Sequence, residues 1–340
     1  MKIGNVQIGK GHKIAIQSMC STKTHDVEAT VKQILKLEKE GCDIIRVAVP
    51  DMKAAEAIPK IKKHIHIPLV ADIHFNCKLA IAALENGADK IRINPGNMGS
   101  EEKVAEIIKH AKVPIRIGVN SGSLEMDLLD KYGYPCPEAL VESSLRWVKF
   151  FEKRGFKKIV LSLKSSNVKD MIKAYELIAK KTAYPLHLGV TEAGTLIPGT
   201  VKSAIGIGTL LQKGIGDTLR VSLTEDPVKE VKVAKEILKS LGLYDKEPEI
   251  IACPTCGRSE IKLEKLAKEV EKRASKLKNP LKIAVMGCVV NGPGEARLAD
   301  YGIAGGKNSG AIFKKGKVVK TVPEKDLVKE LFKIIEKDLK

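Results

Sequence analysis

Residues 44–50 read Ile-Ile-Arg-Val-Ala-Val-Pro, a short apolar run with one arginine near its middle. An amphipathic helical pattern, Val27–Glu40, precedes the run and is stopped by Gly41. Near-continuous apolar strands that alternate with helices are typical of a parallel sheet covered on its outer face.

The same strand–helix unit repeats between residues 13 and 224. The eight apolar runs are Lys13–Met19, Ile44–Pro50, Pro68–His74, Lys90–Gly96, Pro114–Asn120, Lys158–Lys164, Pro185–Thr191 and Asp217–Thr224. Eight such units match a closed (β/α)8 TIM barrel, which typically takes about 250 residues. An open doubly wound sheet is the alternative, and the lack of a Gly-x-Gly-x-x-Gly motif after the first run counts against it.

The barrel prediction covers residues 1–243, and residues 244–251 are predicted to form a short polar linker. Residues 252–340 predict a small α+β domain. Its predicted helices and strands are Ile261–Leu277, Leu281–Met286, Gly302–Ala304, Gly310–Phe313, Lys317–Val322 and Pro323–Leu339. Within the barrel, Ser121–Pro137 is longer than a usual connection and is expected to lie over the mouth.

The chain is strongly basic, with a formal net charge of +18 over 340 residues. This charge implies an anionic ligand or partner, such as nucleic acid, a phosphorylated metabolite or an acidic protein. Aromatic residues make up only 4% of the chain, so stacking platforms for single-stranded nucleic acid are scarce. We find neither a membrane-span pattern nor a signal-peptide core, and we therefore expect a cytoplasmic protein with reduced cysteines.

Cations stand at matching places in five of the predicted strands. They are Arg46, Arg92, Arg116, Lys164 and Arg220. Ionised side chains are unfavourable inside a barrel unless opposite charge compensates them, and only Asp72 and Glu192 stand at comparable places. The surplus predicts a multiply charged anion at the strands' C-terminal ends, bound by forked arginine contacts. Structural ion pairing is the alternative.

Other polar residues collect at the same strand ends, and their common position predicts a pocket. They are Asp72, His74, Asn94, Asn120, Ser162, His187, Thr191, Glu192 and Ser222.

Three cysteines near the end of the chain predict a metal or iron–sulfur centre: Cys253 and Cys256 in a Cys-x-x-Cys pair, and Cys288 on a second turn. All seven histidines precede this region, so a local Cys3His zinc site cannot form. Three thiolates suit a [4Fe–4S] cluster, with Glu295 as a candidate fourth ligand. Because a carboxylate is a harder and more labile donor than a thiolate, that iron could accept a substrate oxygen. Zinc and free thiols stay open as alternatives.

Seven motifs then follow one another along the chain. They are Gln-Ser-Met at 17–19, Asp-Ile-His-Phe-Asn at 72–76, Arg-Ile-Asn-Pro-Gly-Asn at 92–97, Arg-Ile-Gly-Val-Asn at 116–120, Gly-Val-Thr-Glu-Ala-Gly at 189–194, Cys-Pro-Thr-Cys-Gly-Arg at 253–258 and Asn-Gly-Pro-Gly-Glu at 291–295. Together they resemble the 4-hydroxy-3-methylbut-2-en-1-yl diphosphate synthase family, in its short bacterial form, nearly end to end.

The resemblance implies reductive ring opening and dehydration of 2-C-methyl-D-erythritol 2,4-cyclodiphosphate, a step of the methylerythritol phosphate route to isoprenoids. It implies a [4Fe–4S] cluster reduced by flavodoxin or ferredoxin, and the cluster ligands that it implies are Cys253, Cys256, Cys288 and Glu295. The diphosphate contacts that it implies are Arg46, Arg92, Arg116, Asn120, Lys164, Arg220 and Ser222. The catalytic residues that it implies are Asp72, His74, Glu192, Asn291 and Glu295, with Glu192 as a proton donor or charge stabiliser.

The domain order also predicts a dimer. The ten-residue connection 242–251, which includes the linker, reaches at most ~35 Å when fully extended, roughly the height of a barrel. With a linker of this reach, the cluster domain would have difficulty reaching the mouth of its own barrel. We therefore predict a head-to-tail homodimer in which each cluster serves the partner's barrel, as the resemblance also implies.

Two other functions remain open at this point. One is a basic nucleic-acid-binding protein with a zinc-stabilised C-terminal domain. The other is a barrel transferase for phosphorylated or pterin substrates in which the cluster is only structural.

Overall fold

The structure is a computed structural model that describes residues 1–288, 294 and 297–339. The chain divides into two compact units, Met1–Leu243 and Tyr244–Lys340. Among the described residues, no helix combines the length and the apolar character that crossing a membrane requires.

An antiparallel hairpin, β1 (Lys2–Ile3) and β2 (Val6–Gln7), opens the first unit. Ile3 and Ile8 are fully buried, and they share an apolar cluster with residues that begin the barrel strands. These partners are Ala15, Ile44, Val70 and Val160. The hairpin therefore closes the N-terminal end of the barrel and leaves the other end for a site.

Parallel strands form the wall of the first unit. They are β3 (Ala15–Met19), β4 (Ile44–Ala48), β5 (Leu69–Asp72), β6 (Lys90–Ile93), β7 (Ile115–Asn120), β8 (Ile159–Lys164), β9 (His187–Leu188) and β10 (Thr218–Leu219). They pair in the order β8-β7-β6-β5-β4-β3-β10-β9. A parallel bridge between Leu161 and Leu186 joins β8 to the start of β9. This bridge closes the ring, and the predicted (β/α)8 barrel is confirmed.

Helices cover the outside of the barrel. They are α1 (Val27–Glu40), α2 (Met52–Lys62), α3 (Cys77–Glu85), α4 (Glu101–His110), α5 (Met126–Tyr132), α6 (Pro137–Glu152), α7 (Val168–Ala179), α8 (Leu196–Gln212) and α9 (Pro227–Ser240). Local chemistry sets their ends, as α1 illustrates. The Asp26 side chain accepts the Ala29 N–H at its start, and Gly41 ends it in the left-handed conformation, with φ 104°.

The seventh and eighth strands are much shorter than predicted. Regular pairing in β9 and β10 covers two residues each, and the backbone beyond Arg220 finds partners outside the sheet. The Leu223 N–H donates to the Glu230 carboxylate at 3.0 Å, and the Thr224 N–H donates to the Gly194 carbonyl at 3.0 Å. The predicted loop Ser121–Pro137 contains a 3-10 turn at Ser121–Ser123 and the helix α5.

The second unit is a mixed sheet with helices. Its elements are β11 (Glu249–Ala252), α10 (Leu263–Ala274), β12 (Lys282–Met286), β13 (Tyr301–Gly306), β14 (Ser309–Lys314), β15 (Lys317–Pro323) and α11 (Leu327–Asp338). The strands pair in the order of their numbers. The predicted linker extended too far, since Glu249–Ala252 pairs with β12 and Ile250 packs against the core.

Candidate active site

Six basic side chains project into the barrel. They are Arg46, Lys90, Arg92, Arg116, Lys164 and Arg220. Lys90 Nζ on β6 donates to Gln17 Oε1 on β3 at 3.2 Å. Because β4 and β5 separate these two strands in the sheet, this bond crosses the interior of the barrel. Lys90 and Arg92 lie two residues apart and therefore share the inner face of β6.

Asp72 at the end of β5 holds two of these cations. Arg92 Nη1 lies 3.3 Å from Asp72 Oδ1, and Arg46 Nη1 lies 3.9 Å from the same oxygen. Burial alone would raise the pKa of Asp72, but Arg46, a hydrogen bond to His74 and Arg92 together bring it below its ordinary value. Asp72 is therefore an ionised carboxylate that balances part of the positive charge.

Arg116 and Lys164 have no such carboxylate among the described residues. Arg116 Nη1 donates to Ser162 Oγ at 2.8 Å, while its Nε and Nη2 are buried without a hydrogen-bond partner in the described part of the chain. Burial and the neighbouring arginines bring the pKa of both side chains well below the usual values. Buried donors of this kind are unfavourable unless an acceptor meets them, which favours an anion at this point.

Two glycines make room for the cations. A Cβ added to Gly118 on β7 would lie 2.6 Å from Arg92 Nε. A Cβ added to Gly189, just after β9, would lie 2.6 Å from Lys164 Nζ. Both distances are far below a van der Waals contact, so these side chains lie directly on glycine backbone. Sequence reasoning missed this role, although both glycines stand in the motifs quoted above.

Arg220 has a carboxylate partner that sequence reasoning missed. Glu230 on α9 is 3% exposed, and its Oε1 lies 3.1 Å from Arg220 Nη2. The Glu230 carboxylate also accepts Ser18 Oγ at 3.1 Å. The prediction that only Asp72 and Glu192 could compensate the cations was therefore wrong. The available signal was an acidic residue in the first turn of a helix that follows a cation-bearing strand.

Glu192 follows β9, near the predicted strand end, but it is not buried with the cations. It is exposed and adopts a left-handed backbone with φ 51°. A side chain in this position balances no buried charge, but it stands at the C-terminal edge of the barrel, where substrates enter.

Of the remaining predicted site residues, two lie in the barrel and two lie outside the described part of the chain. Asn120 ends β7. When its side-chain amide is turned so that the oxygen accepts from Arg92 Nη2, these two atoms lie 3.2 Å apart. Ser222 is half-buried, two residues beyond Arg220. Asn291 and Glu295 lie outside the described residues.

The cysteines of the second unit follow adjacent strands. Cys253 comes after β11 and Cys288 after β12, and parallel pairing brings both strand ends to one edge of the sheet. The Gly287 N–H donates to Cys253 Sγ at 3.1 Å, and Cys256 is exposed. Within the described residues, no group of three or more histidine, cysteine or acidic side chains is arranged for a metal ion.

The donor chemistry at this edge nevertheless fits an iron–sulfur centre. Iron–sulfur clusters take thiolate ligands, and backbone N–H groups that donate to the sulfurs tune such centres. The barrel thiols differ: burial raises the pKa of Cys20 and Cys42 to about 12, so both stay protonated and unsuited to ligation.

Fold and site thus define a (β/α)8 barrel protein whose buried, incompletely balanced cations suit a polyanionic ligand. Residues 1–235 match the family model described as GcpE TIM-barrel domain, and residues 249–337 match that of the GcpE protein C-terminal domain.

The curated relatives agree. A protein named 4-hydroxy-3-methylbut-2-en-1-yl diphosphate synthase (flavodoxin), from Caldanaerobacter subterraneus subsp. tengcongensis, is 63% identical over 100% of this chain and 97% of the relative. The protein of the same name from Clostridium perfringens is 61% identical over 99% of this chain and 97% of the relative. The chain belongs to the 4-hydroxy-3-methylbut-2-en-1-yl diphosphate synthase family. The predictions of the family and of a reductive enzyme of isoprenoid biosynthesis are confirmed, and the nucleic-acid-binding alternative finds no support.

Among solved structures, dihydropteroate synthase from Stenotrophomonas maltophilia superposes with a TM-score of 0.52 at 15% identity, over 68% of this chain and 93% of that chain. At this level of identity, the likeness concerns the barrel fold alone and gives no support to a pterin transferase.

Proposed function

We propose that this chain converts 2-C-methyl-D-erythritol 2,4-cyclodiphosphate to 4-hydroxy-3-methylbut-2-enyl diphosphate. The cyclic dianion takes up two electrons and one proton and yields a trianionic diphosphate and water. The observation that carries the proposal is the buried positive charge around Arg116 and Lys164, which no described carboxylate balances. A diphosphate group supplies the acceptors and the charge that this interior calls for.

The interior cations act on the leaving group. In this proposal, the diphosphate contacts are Arg46, Arg92, Arg116, Lys164 and Arg220, together with Asn120 and Ser222. Fixed positive charge in a buried site stabilises the negative charge that develops on the diphosphate as the ring opens. Asp72 orients Arg46 and Arg92, and Glu230 orients Arg220.

The proton inventory favours Glu192 as the acid. His74 Nε2 lies 2.6 Å from Arg92 Nη1, and arginine has no acceptor atom. The same His74 Nε2 lies 3.7 Å from Asp72 Oδ2, so this ring nitrogen is tied to the arginine and to the carboxylate. Asp72 is ionised and committed to two arginines. The exposed Glu192 at the mouth is free of such ties among the described contacts, and Asn291 is proposed to assist it.

The second unit is proposed to hold a [4Fe–4S] cluster. Its ligands would be Cys253, Cys256, Cys288 and Glu295, of which Glu295 lies outside the described residues. When bound, the cluster supplies the two electrons in single steps. The names of the relatives indicate flavodoxin as the donor, with ferredoxin as the alternative. A cytoplasmic location, where thiols stay reduced, belongs to the same proposal.

A head-to-tail homodimer completes the proposal, with the cluster of one subunit serving the barrel of the other. A cysteine variant without a cluster and a barrel variant without substrate binding should each be inactive. Mixing them should restore part of the activity, since a mixed dimer contains one intact combination. Activity that never exceeds the sum of the separate variants would contradict the shared site.

The decisive test combines turnover with metal analysis. Anaerobically prepared protein should contain iron and sulfide and should convert the cyclodiphosphate when reduced flavodoxin is supplied. Arg116→Met should abolish turnover and keep the iron content. Arg146→Met is the matched control, because Arg146 is an exposed arginine paired with Asp127 on the outer surface. Unchanged turnover in Arg116→Met, or bound zinc in place of iron, would refute the proposal.

A further inference from the structure

One buried cation has no part in the proposed diphosphate contacts. Lys90 begins β6 and is fully buried, two residues before Arg92 and one layer deeper in the barrel. The one hydrogen bond found for its ammonium group in the described structure goes to Gln17 Oε1, at 3.2 Å. Gln17 is neutral, so this contact gives one N–H donor of Lys90 a partner but does not balance the positive charge.

The charged neighbours of Lys90 are mostly basic. Arg46 on β4 and Arg116 on β7 both act on Lys90, and His187 on β9 feels its charge in turn. The carboxylate of Asp72 on β5 is turned to Arg46 and to the arginine above it. No described carboxylate pairs with Lys90.

Burial without a compensating carboxylate makes the charged form of an ammonium group unfavourable. Burial and the repulsion from Arg116 and Arg46 bring the pKa of Lys90 well below its usual value. His187 is shifted the same way: burial and the surrounding cations bring its pKa well below the usual value, so it too is neutral.

We propose that Lys90 is uncharged in the ligand-free protein and takes up a proton when a diphosphate group binds to Arg116 and Lys164. The inference rests on the proposed function. The negative charge of an anion bound above Arg116 offsets the repulsion between Arg116 and Lys90, and it stabilises the protonated form of Lys90 in the layer below. Ring opening then adds one negative charge to the diphosphate, and the ammonium of Lys90 helps to balance it. Lys90 is a positioning residue for charge, since it does not touch the substrate.

Calorimetry with the cyclodiphosphate tests the proton uptake directly. Each phosphoryl group of this ligand has one ester bond, one shared anhydride oxygen and a single strongly acidic hydroxyl, so the ligand itself does not titrate near neutral pH. Titration of the holoenzyme in buffers with different ionisation enthalpies gives the number of protons taken up. Lys164 and His187 also have lowered pKa values and are present in both proteins, so the difference between the proteins reports on Lys90. Lys90→Met should take up about one proton per site fewer than the wild type.

Two further variants make the result specific. Lys235→Met removes a lysine that is 6% exposed and whose Nζ lies 2.7 Å from Glu40 Oε1, so proton uptake should stay as in the wild type. Gln17→Glu places a carboxylate where Lys90 now meets an amide oxygen. Lys90 should then hold its proton before the ligand arrives, and the uptake should fall by about one proton per site, as in Lys90→Met. Uptake that is absent in the wild type, or unchanged in Lys90→Met, would overturn the proposal.

A second measurement does not depend on the substrate. The ¹⁵Nζ chemical shift distinguishes an amine from an ammonium group, and Lys90→Met identifies the Lys90 signal in lysine-labelled holoenzyme. An amine signal near neutral pH is expected, and an ammonium signal would overturn the inference. If the cyclodiphosphate produced no binding heat at all, the proposed substrate would be refuted, while this spectrum would still decide the charge of Lys90.

Discussion

Gly118→Ala tests whether glycine backbone is what allows Arg92 to take its place in the site. The added Cβ would lie 2.6 Å from Arg92 Nε, 3.1 Å from Nη2 and 3.2 Å from Cζ. Arg92 cannot simply swing away, because its Nη1 lies 2.6 Å from His74 Nε2 and 3.3 Å from Asp72 Oδ1. Arg92 is only 5% exposed, so solvent offers the displaced guanidinium little room.

The size of the effect follows from these distances. An ordinary contact of about 3.5 Å requires Arg92 Nε to move by about 0.9 Å. A movement of that size would lengthen the 2.6 Å contact with His74 to as much as about 3.5 Å, the outer limit of a hydrogen bond, and would turn the guanidinium away from the diphosphate. The loss of one hydrogen bond to a charged group amounts to about 1.5–3 kcal/mol, which corresponds to a roughly 10- to 150-fold lower kcat/KM. Overpacking should also reduce the free energy of unfolding by about 1–3 kcal/mol.

Steady-state kinetics with the cyclodiphosphate and thermal unfolding measure the two effects separately. Gly122→Ala is the matched control, because it lies four residues along the same segment and its added Cβ would meet no atom within 4 Å. The control should behave like the wild type in both assays. A kcat/KM for Gly118→Ala within twofold of the wild-type value, or an equal loss in Gly122→Ala, would refute the steric argument.

Three further substitutions address the carboxylates and the thiols. Asp72→Asn should lower the free energy of unfolding by about 3–5 kcal/mol near neutral pH in urea titrations, because it leaves two buried arginines uncompensated. The pKa of Asp72 lies below its ordinary value, so the stabilisation by its carboxylate is complete above about pH 4 and is lost as the pH falls. The free energy of unfolding of the variant should lack this part of the pH dependence. An identical pH dependence in variant and wild type would contradict the pairing. Glu230→Gln should raise KM about tenfold by releasing Arg220, and an unchanged KM would show that the ion pair is not needed for binding. Cys256→Ser should abolish iron binding in metal analysis while Cys77→Ser retains it, and equal iron in both would exclude Cys256 as a ligand.

The barrel was predictable because its signal is repeated. A chain that alternates apolar strands with amphipathic helices eight times has few other ways to bury both. Placing Arg46, Arg92, Arg116, Lys164 and Arg220 in the interior was predictable for a related reason. Side chains alternate across a strand, so a cation between two outward-facing aliphatic residues must point inward.

The missed features depend on contacts between distant segments, which periodicity does not encode. Glu230 pairs with Arg220 from a helix, although only strand positions had been considered as sources of compensating charge. Gly118 was visible as a motif residue, but its role depends on Arg92 from the neighbouring strand. The end of the linker became β11 because Ile250 had a core to pack against in the second unit.

The unequal treatment of the interior cations indicates what the barrel is built to do. Where a carboxylate is available, as for Arg46, Arg92 and Arg220, the guanidinium is held in place and its charge is partly balanced. Arg116 and Lys164 have no described carboxylate, so their charge is available to a ligand. Neutral residues there would pack more stably, since buried unpaired charge opposes folding. Such a loss of folding stability is expected at a functional site, and it couples stability to anion binding. An anion that binds the folded barrel should raise the unfolding temperature, and Arg116 and Lys164 should contribute most to this increase.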